Sequence, residues 1–287
     1  MKILITGARG FIGSHLGNTL INKGHTVLGV DNESNPSKNQ TNFEIKKINA
    51  RDIDIEGIDV ILHLAGYINV DESIEKPELY YENNTMETLH ILEKLRKNPK
   101  CKFIYASSAE VYGTALNNPM NELHLLNPLS PYAFSKFSAE GMCKFYTDFY
   151  NLDITIIRNF NTFGPYQRDD KYGGVISKFI TQGKNKKSLT VYGDGEQMRD
   201  YMHVSQAVSG YILAIEKRLP LYINFGSGNP VKIIDIANHI AKKYGVGIDF
   251  LPPRKNEIKL LHADITKALS FGYKIQTDFW KNLDELL

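Results

Sequence analysis

Cysteine is scarce. The chain has two in 287 residues, Cys101 and Cys143, too few for a disulfide framework. Both read as buried apolar residues or free thiols, consistent with a reducing compartment. Charge of one sign is equally lacking, with 34 Lys and Arg against 32 Asp and Glu. A balance of +2 advertises no nucleic-acid and no membrane partner, although local basic patches for small anions stay compatible with it. No apolar run approaches the roughly 20 residues that span a bilayer. No tract is compositionally biased, and no solenoid-type repeat recurs. Residues 1–7 run straight into a strand and a glycine turn with no leader pattern, so a cytoplasmic protein is expected. What remains is an ordinary composition, 42% hydrophobic and 23% charged, long enough for one or two domains and a large core.

The pattern along the first half is strand then helix, repeated. Ile3–Ile5 is a short β-branched run of the kind buried on both faces of a sheet. Gly7, Gly10 and Gly13 follow, and helical spacing begins at Phe11 and Ile12. Such a turn lets backbone approach a pyrophosphate seated at the helix N-terminus, although G-x-x-G-x-x-G differs from the commoner G-x-G-x-x-G. A plain strand–turn–helix with incidental glycines stays open. The next strand, Thr26–Val30, ends at Asp31. A carboxylate there can accept from ribose hydroxyls and would repel a 2′-phosphate, favouring NAD over NADP; a solvated strand end is the alternative.

Asn32–Asn42 is a polar loop, and Glu44–Ile48, Val60–Leu64, Lys102–Ala106 and Ile154–Ile157 are further strands. Helical spacing marks Glu78–Arg96 and the stretch from Tyr132 to Tyr150. Alternation of this kind implies βαβ units and a parallel sheet covered by helices on both faces. His63, in the strand-end run His63–Gly66, reads as a packed core histidine. Phe163–Gly195, rich in Gly, Tyr and Lys, reads as a ligand-covering segment, and Arg199–Lys217 as an amphipathic helix. Tyr222–Phe225 and Ile248–Leu251 are expected strands, with a helix at Ile233–Tyr244 between them.

Tyr132 and Lys136 lie one helical turn apart on one face. An ammonium near a phenol favours the phenolate, lowering a pKa of about 10 toward the working pH. Tyr132 is thereby a candidate acid/base for an alcohol proton. An exposed surface pair gives the same spacing.

Taken in order, several segments resemble the extended short-chain dehydrogenase/reductase family, in its nucleotide-sugar epimerase/dehydratase branch. They are Thr6–Gly13, Asp31-Asn32, Asp52-Ile53, His63–Gly66, Ser107–Gly113, Pro131–Lys136, Arg158–Asn161 and Tyr192–Gly195 with Arg199–Tyr201. The resemblance covers nearly the whole chain. It implies an α/β, Rossmann-type doubly wound parallel sheet with a smaller, mixed α/β C-terminal substrate-binding region. The expected division is 1–162 for NAD, also receiving 199–224, with 163–198 and 225–287 for the nucleotide sugar.

The roles implied are these. Tyr132, Lys136 and Ser108 would be catalytic, with Ser108 bonding the sugar hydroxyl and Lys136 also the nicotinamide ribose. Gly7, Gly10, Phe11, Ile12 and Gly13 would wrap the NAD pyrophosphate, Asp31 and Asn32 the adenosine ribose, and Asp52 with Ile53 the adenine. Leu64, Ala65, Gly66 and Asn84 would line the cofactor, although Glu87 stands where the family usually has glycine. Asn161 would hold a phosphate or sugar hydroxyl. Val175 and Tyr192 would line the base, and Arg199 and Arg254 would clamp the diphosphate, which forked guanidinium donors suit. No metal is implied. A homodimer is, pairing the Tyr132 helix and the one near Asn84 into a four-helix bundle.

The branch contains 4-epimerases, 4,6-dehydratases, decarboxylases and 4-keto reductases, and its shared motifs do not choose among them. Dehydratases typically carry Asp-Glu after the serine; here the pair is Ala109-Glu110, and alanine donates no proton. Glu110 reads equally as a base or as a helix-start carboxylate. Epimerisation of a UDP-sugar at C4 needs the least further machinery and is the leading expectation. A 4-keto-6-deoxy-sugar reductase is the alternative, which Asp31 disfavours because such enzymes normally use NADPH.

Overall fold

The computed structural model describes every residue except Asn35, Lys171, Lys255 and Asn256; Asn35 falls within the expected loop at Asn32–Asn42. Seven parallel strands form the first sheet. They are β1 (Lys2–Thr6), β2 (Thr26–Asp31), β3 (Glu44–Lys47), β4 (Val60–His63), β5 (Lys102–Ser108), β6 (Ile154–Asn159) and, from much later in the chain, β10 (Tyr222–Phe225). Their spatial order is β3-β2-β1-β4-β5-β6-β10. The direction of winding reverses between β1 and β4, so a crevice opens at their carboxyl ends, where doubly wound sheets take ligands.

Strand alternation explains the two cores. Ile3, Ile5, Leu62 and Ile104 point to one face, with Leu16, Leu20, Val208 and Tyr211 from α1 (Phe11–Asn22) and α7 (Val204–Glu216). Leu4, Ile61, Phe103 and Tyr105 point to the other, against Ile91, Leu95, Ala139 and Cys143 from α4 (Glu87–Lys97) and α5 (Pro131–Tyr150). Period-2 side chains and helices on both sides make this sheet buried throughout. The helix expected at Glu78–Arg96 is composite. After α2 (Val70–Glu75), which has its own Asn69 cap, α3 starts at Pro77 and ends at Tyr80. A π-helical turn, Tyr81–Met86, then joins it to α4. Such an extra residue per turn is common at functional sites.

Two readings of the second half are corrected. Phe163–Gly195 is no mere covering segment: it holds α6 (Val175–Lys184) and β8 (Leu189–Tyr192). Ile176, Phe179 and Val191 there form a third core with Ile236 and Ile240 of α8 (Ile233–Tyr244). Helical 3–4 spacing of Ile176, Phe179 and Ile180 was diluted by the flanking Gly, Tyr and Lys. Arg199–Lys217 is likewise not one helix. Met198–His203 is β9, and α7 begins only at Val204. Polar Arg199 and Asp200 hid the strand pattern. β9 is the centre of a four-stranded sheet with β7 (Asn161–Phe163), β11 (Pro230–Lys232) and β13 (Leu260–Leu261). β8 pairs with β12 (Ile248–Leu251), and α9 (Thr266–Ser270) and α10 (Phe279–Asp284) complete the chain.

Candidate active site

The glycine turn between β1 and α1 is built by close approach. Gly7 has φ +69°, and a Cβ on it would lie 2.8 Å from the Ala65 nitrogen. A Cβ on Gly13 would stand 2.2 Å from the Gly7 oxygen. No side chain fits at either place, which accounts for the unusual glycine spacing. Gly10 caps α1 without any side-chain acceptor, so the first N–H groups of the helix, at Phe11 and Ile12, are left for an anion. Asp31 closes the end of β2, accepting from the backbone of Arg9 (2.9 Å) and Glu33 (2.6 Å). Burial pushes its carboxyl above the usual range, and those two N–H groups pull it back.

Gly7, Gly10 and Asp31 line one cleft with Asn32, Leu64, Ala65 and Gly66. The turn, the open helix end and the strand-end carboxylate fit the pyrophosphate and ribose of NAD. The wall at the far end comes from Ile48, Asn49 and Ala50. Asp52 follows exposed, and the Ile53 side chain turns into the core while its carbonyl accepts from Lys94 Nζ at 2.7 Å. Asn84 stands beside Gly66 and holds this wall of the cleft in place. Its Oδ1 accepts from Tyr67 N (2.8 Å) and its Nδ2 donates to the Tyr67 oxygen (3.0 Å) and Ser135 Oγ (2.9 Å). With both amide protons donated, it pins the Gly66 loop to α5. Glu87, the departure from glycine, binds Arg51 twice: through the backbone N–H at 2.6 Å and through Nε at 2.6 Å. It clasps the turn that follows Asn49.

β5 delivers Ser108 to the same edge of the sheet, and α5 delivers Tyr132 and Lys136. Pro131 at the first position of α5 and Ser130 Oγ, accepting from Ala133 N at 3.1 Å, set where that helix begins. The Ser108 hydroxyl lies close enough to the Tyr132 phenol to favour its ionisation. Lys136 Nζ donates to the Ala106 carbonyl at 3.0 Å, lies over the Tyr105 ring and abuts Gly66. Both are almost wholly buried, and this corrects the expected phenolate. Burial pushes the Tyr132 phenol up to about 12, with Ser108 opposing and the Glu110 charge adding. Burial also brings Lys136 down to about 8, against the raising influence of Cys143 and Glu140. Desolvation outweighs the attraction that spacing alone suggests.

The residues expected to hold the substrate come from distant segments. Arg199 on β9 pairs with Glu257 at 3.8 Å. Arg254 stacks 4.2 Å above the Tyr192 ring and reaches Asp71 of α2 at 3.7 Å. Asn161 opens β7 beside β9, in register with Tyr201, and Val175 opens α6. Asp200 stands within the Arg199–Tyr201 segment, where sequence alone assigns it no role. Fully buried, it accepts from Ser227 N (2.6 Å), Ser227 Oγ (2.8 Å), Gly228 N (2.9 Å) and Ala263 N (3.1 Å), fixing the strand that carries Arg199. Glu72 was also missed. It accepts from Tyr80 at 3.2 Å and from Tyr172 at 2.7 Å, and the Tyr80 ring stands edge-on to Tyr132. No short motif joins residues 100 positions apart. Among the described residues no three His, Cys, Asp or Glu side chains form a metal site, and no helix is long and apolar enough to cross a membrane.

A Rossmann sheet with Ser, Tyr and Lys converging at its carboxyl edge defines a nicotinamide-dependent enzyme of the short-chain dehydrogenase/reductase type. Residues 3–226 match the NAD dependent epimerase/dehydratase family, and the chain belongs to it. It is 34% identical to a UDP-N-acetyl-alpha-D-glucosaminuronate decarboxylase of Bacillus cytotoxicus, over 91% of this chain and 90% of that one. A UDP-N-acetylglucosamine 4-epimerase of Methanobrevibacter ruminantium, solved with UDP-N-acetylmuramic acid, superposes with TM-score 0.94 at 32% identity, covering 99% and 96% of the two chains. A UDP-glucuronic acid 4-epimerase of Bacillus cereus, solved with UDP-glucuronic acid and NAD, gives 0.91 at 32% identity over 99% and 97%. The cofactor is NAD.

Proposed function

We propose that the protein is a UDP-sugar 4-epimerase that works through a transient 4-keto sugar. The observation that carries this reading is the convergence of Ser108, Tyr132 and Lys136 beside Ala109, a residue with no proton to give a leaving hydroxyl. Bound NAD supplies a hydride acceptor for C4 and then the donor that returns the hydride. Tyr132 takes the C4 hydroxyl proton and gives it back, with Ser108 sharing that hydroxyl. A buried phenol near pKa 12 ionises only as positive charge enters the site. The oxidised cofactor would bring it when bound, and Lys136, held at the Ala106 carbonyl beside Gly66, would bond the nicotinamide ribose.

Arg199, Arg254 and Asn161 anchor the diphosphate, with Val175 and Tyr192 flanking the uracil. Asp71 and Glu257 hold the two guanidinium groups until phosphate oxygens replace them. A sugar held by its diphosphate and loosely elsewhere can turn its other face to the cofactor, which inversion at C4 requires. We also assign a homodimer, paired through α5, and a functional division in which 1–162 with 199–224 serves NAD and 163–198 with 225–287 serves the nucleotide sugar.

The test is incubation of purified protein, without added cofactor, with UDP-glucose and separately UDP-N-acetylglucosamine, followed by proton NMR of the anomeric signals. Appearance of the C4 epimer is expected. Intact substrate even with NAD supplied would sink the proposal, and 4-keto-6-deoxy sugars with NADH or NADPH would then be tried for the reductase alternative.

A further inference from the structure

The end of the cleft at Asp31 holds more charge than that one carboxylate, and the arrangement bears on which dinucleotide enters. This question stands apart from the sugar chemistry. Two cations flank Asp31. Lys47 is its in-register partner on β3, and Arg9 donates its backbone N–H to the Asp31 carboxylate at 2.9 Å. Both side chains turn to one neighbour: the Glu33 carboxylate meets Arg9 Nε at 2.9 Å and Lys47 Nζ at 3.1 Å. Glu33 is itself fastened there, its backbone N–H donating to Asp31 Oδ1 at 2.6 Å. Its φ is +57°, a left-handed conformation that disfavours any residue with a Cβ. Asp31 senses both side chains: behind burial and the two N–H bonds, the Glu33 charge raises its pKa and the Arg9 charge lowers it.

Two free cations beside a ribose position are what a 2′-phosphate needs, since guanidinium and ammonium groups bind phosphate oxygens. Asp31 sets only one negative charge against them. Glu33 sets the second, and the four charges cancel. The other cations of this region are engaged elsewhere, Lys38 with Asp169 at 3.8 Å and Arg51 with Glu82 at 3.2 Å and Glu87 at 2.6 Å. We infer that Glu33 is a second determinant of cofactor choice beside Asp31, excluding NADP by withholding Arg9 and Lys47 from its 2′-phosphate. Exposed ion pairs of this kind add little to stability. Their effect here is different: a phosphate of about −1.5 to −2 charge must either displace Glu33 or lie against two carboxylates. NAD, with a hydroxyl at that place, meets no such conflict.

The experiment reads binding alone, with no sugar present. Protein stripped of nucleotide with charcoal is titrated with NAD and with NADP by calorimetry, for the wild type and for Glu33→Gln. The wild type should bind NAD more tightly by about tenfold or more. Glu33→Gln is expected to lower the Kd for NADP about tenfold and to move that for NAD by less than about threefold. Glu33→Gly, which suits the positive φ, repeats the measurement should the first variant fold poorly. Adding Arg9→Gln and Lys47→Gln to the Glu33 variant should abolish the gain. An NADP Kd that stays within about twofold of the wild type in the Glu33 variants would overturn the inference. So would a gain that survives loss of both cations, or a wild type that binds the two dinucleotides equally.

Discussion

The guanidinium of Arg158 and the carboxylate of Glu140 meet at 2.7 Å inside the protein, with 2% of either side chain exposed. Glu140 lies one turn beyond Lys136 on α5 and also accepts from Ser107 Oγ at 2.5 Å, the neighbour of Ser108. Arg158, from β6, donates on to the Tyr112 hydroxyl and the Glu122 carbonyl, both at 3.1 Å. Burial works against the guanidinium's charge, yet Glu140 holds its pKa above the ordinary value. The pair therefore ties the helix that carries Tyr132 and Lys136 to the strand ends beneath Ser108.

Breaking one half of such a pair leaves an uncompensated buried charge. Glu140→Gln is expected to lose roughly 3 kcal/mol of unfolding free energy, and the double variant with Arg158→Met to regain part of it. Urea unfolding of the three proteins checks this. A single-variant loss below about 1 kcal/mol would show the pair to be incidental.

Tyr132→Phe removes the transferable proton and little else. Turnover should fall by about a hundredfold to ten-thousandfold, with retained NAD and melting temperature near those of the wild type. Turnover within threefold of the wild type would assign the proton transfer to another group.

His63 is enclosed between Thr6 Oγ1 at 2.6 Å and Thr88 Oγ1 at 3.1 Å, against the Phe103 ring. Burial first, and then the Lys136 charge, lowers its pKa from 6.5 to about 3. The unfolded chain thus takes a proton below pH 6.5 that the folded chain refuses until about pH 3. Acidification through that interval favours unfolding by about 1.4 kcal/mol per pH unit. His63→Gln should flatten the stability profile between pH 6.5 and 4.5 relative to the wild type. Parallel profiles from urea midpoints would contradict it.

Phe145 and Phe149 stack on the outer face of α5, the second 70% exposed, and Phe134 shows on the same face. Gly141, between them on that face, has open space beside it, room for a close helix–helix contact. Phe145→Glu combined with Phe149→Glu is expected to yield a monomer in size-exclusion chromatography with light scattering. A wild type that is itself monomeric at micromolar concentration would refute the assigned dimer.

What the sequence disclosed and what it hid divide along physical lines. Gly7, Gly10 and Gly13 announced their turn because steric exclusion of a Cβ is a local property. Tyr132 and Lys136 announced themselves through helical spacing. The protonation of that pair was misjudged, because the burial that governs it is contributed by β5, the Gly66 loop and Tyr80. The roles of Asp200 and Glu72 were hidden for a related reason: Asp200 is held by donors 27 to 63 positions away and Glu72 by one 100 positions away. β9 escaped notice because its core-facing polar residue is satisfied by loop backbone rather than by apolar neighbours. That Asn84, expected to line the cofactor, also bonds Tyr67 and Ser135 could not be read either, because those partners lie 17 and 51 positions away.

The position of β10 has a consequence for synthesis. This seventh strand lies against β6, yet residues 160–221 intervene. A nascent chain that has emerged only as far as β6 presents that strand's outer edge unpaired, with Ile156 and Ile157 among its residues. The seven-stranded sheet cannot be finished until residues 160–221 have left the ribosome. Translation of this protein thus passes through an interval in which an open sheet must be kept from its neighbours, and a pause near residue 160 would lengthen it.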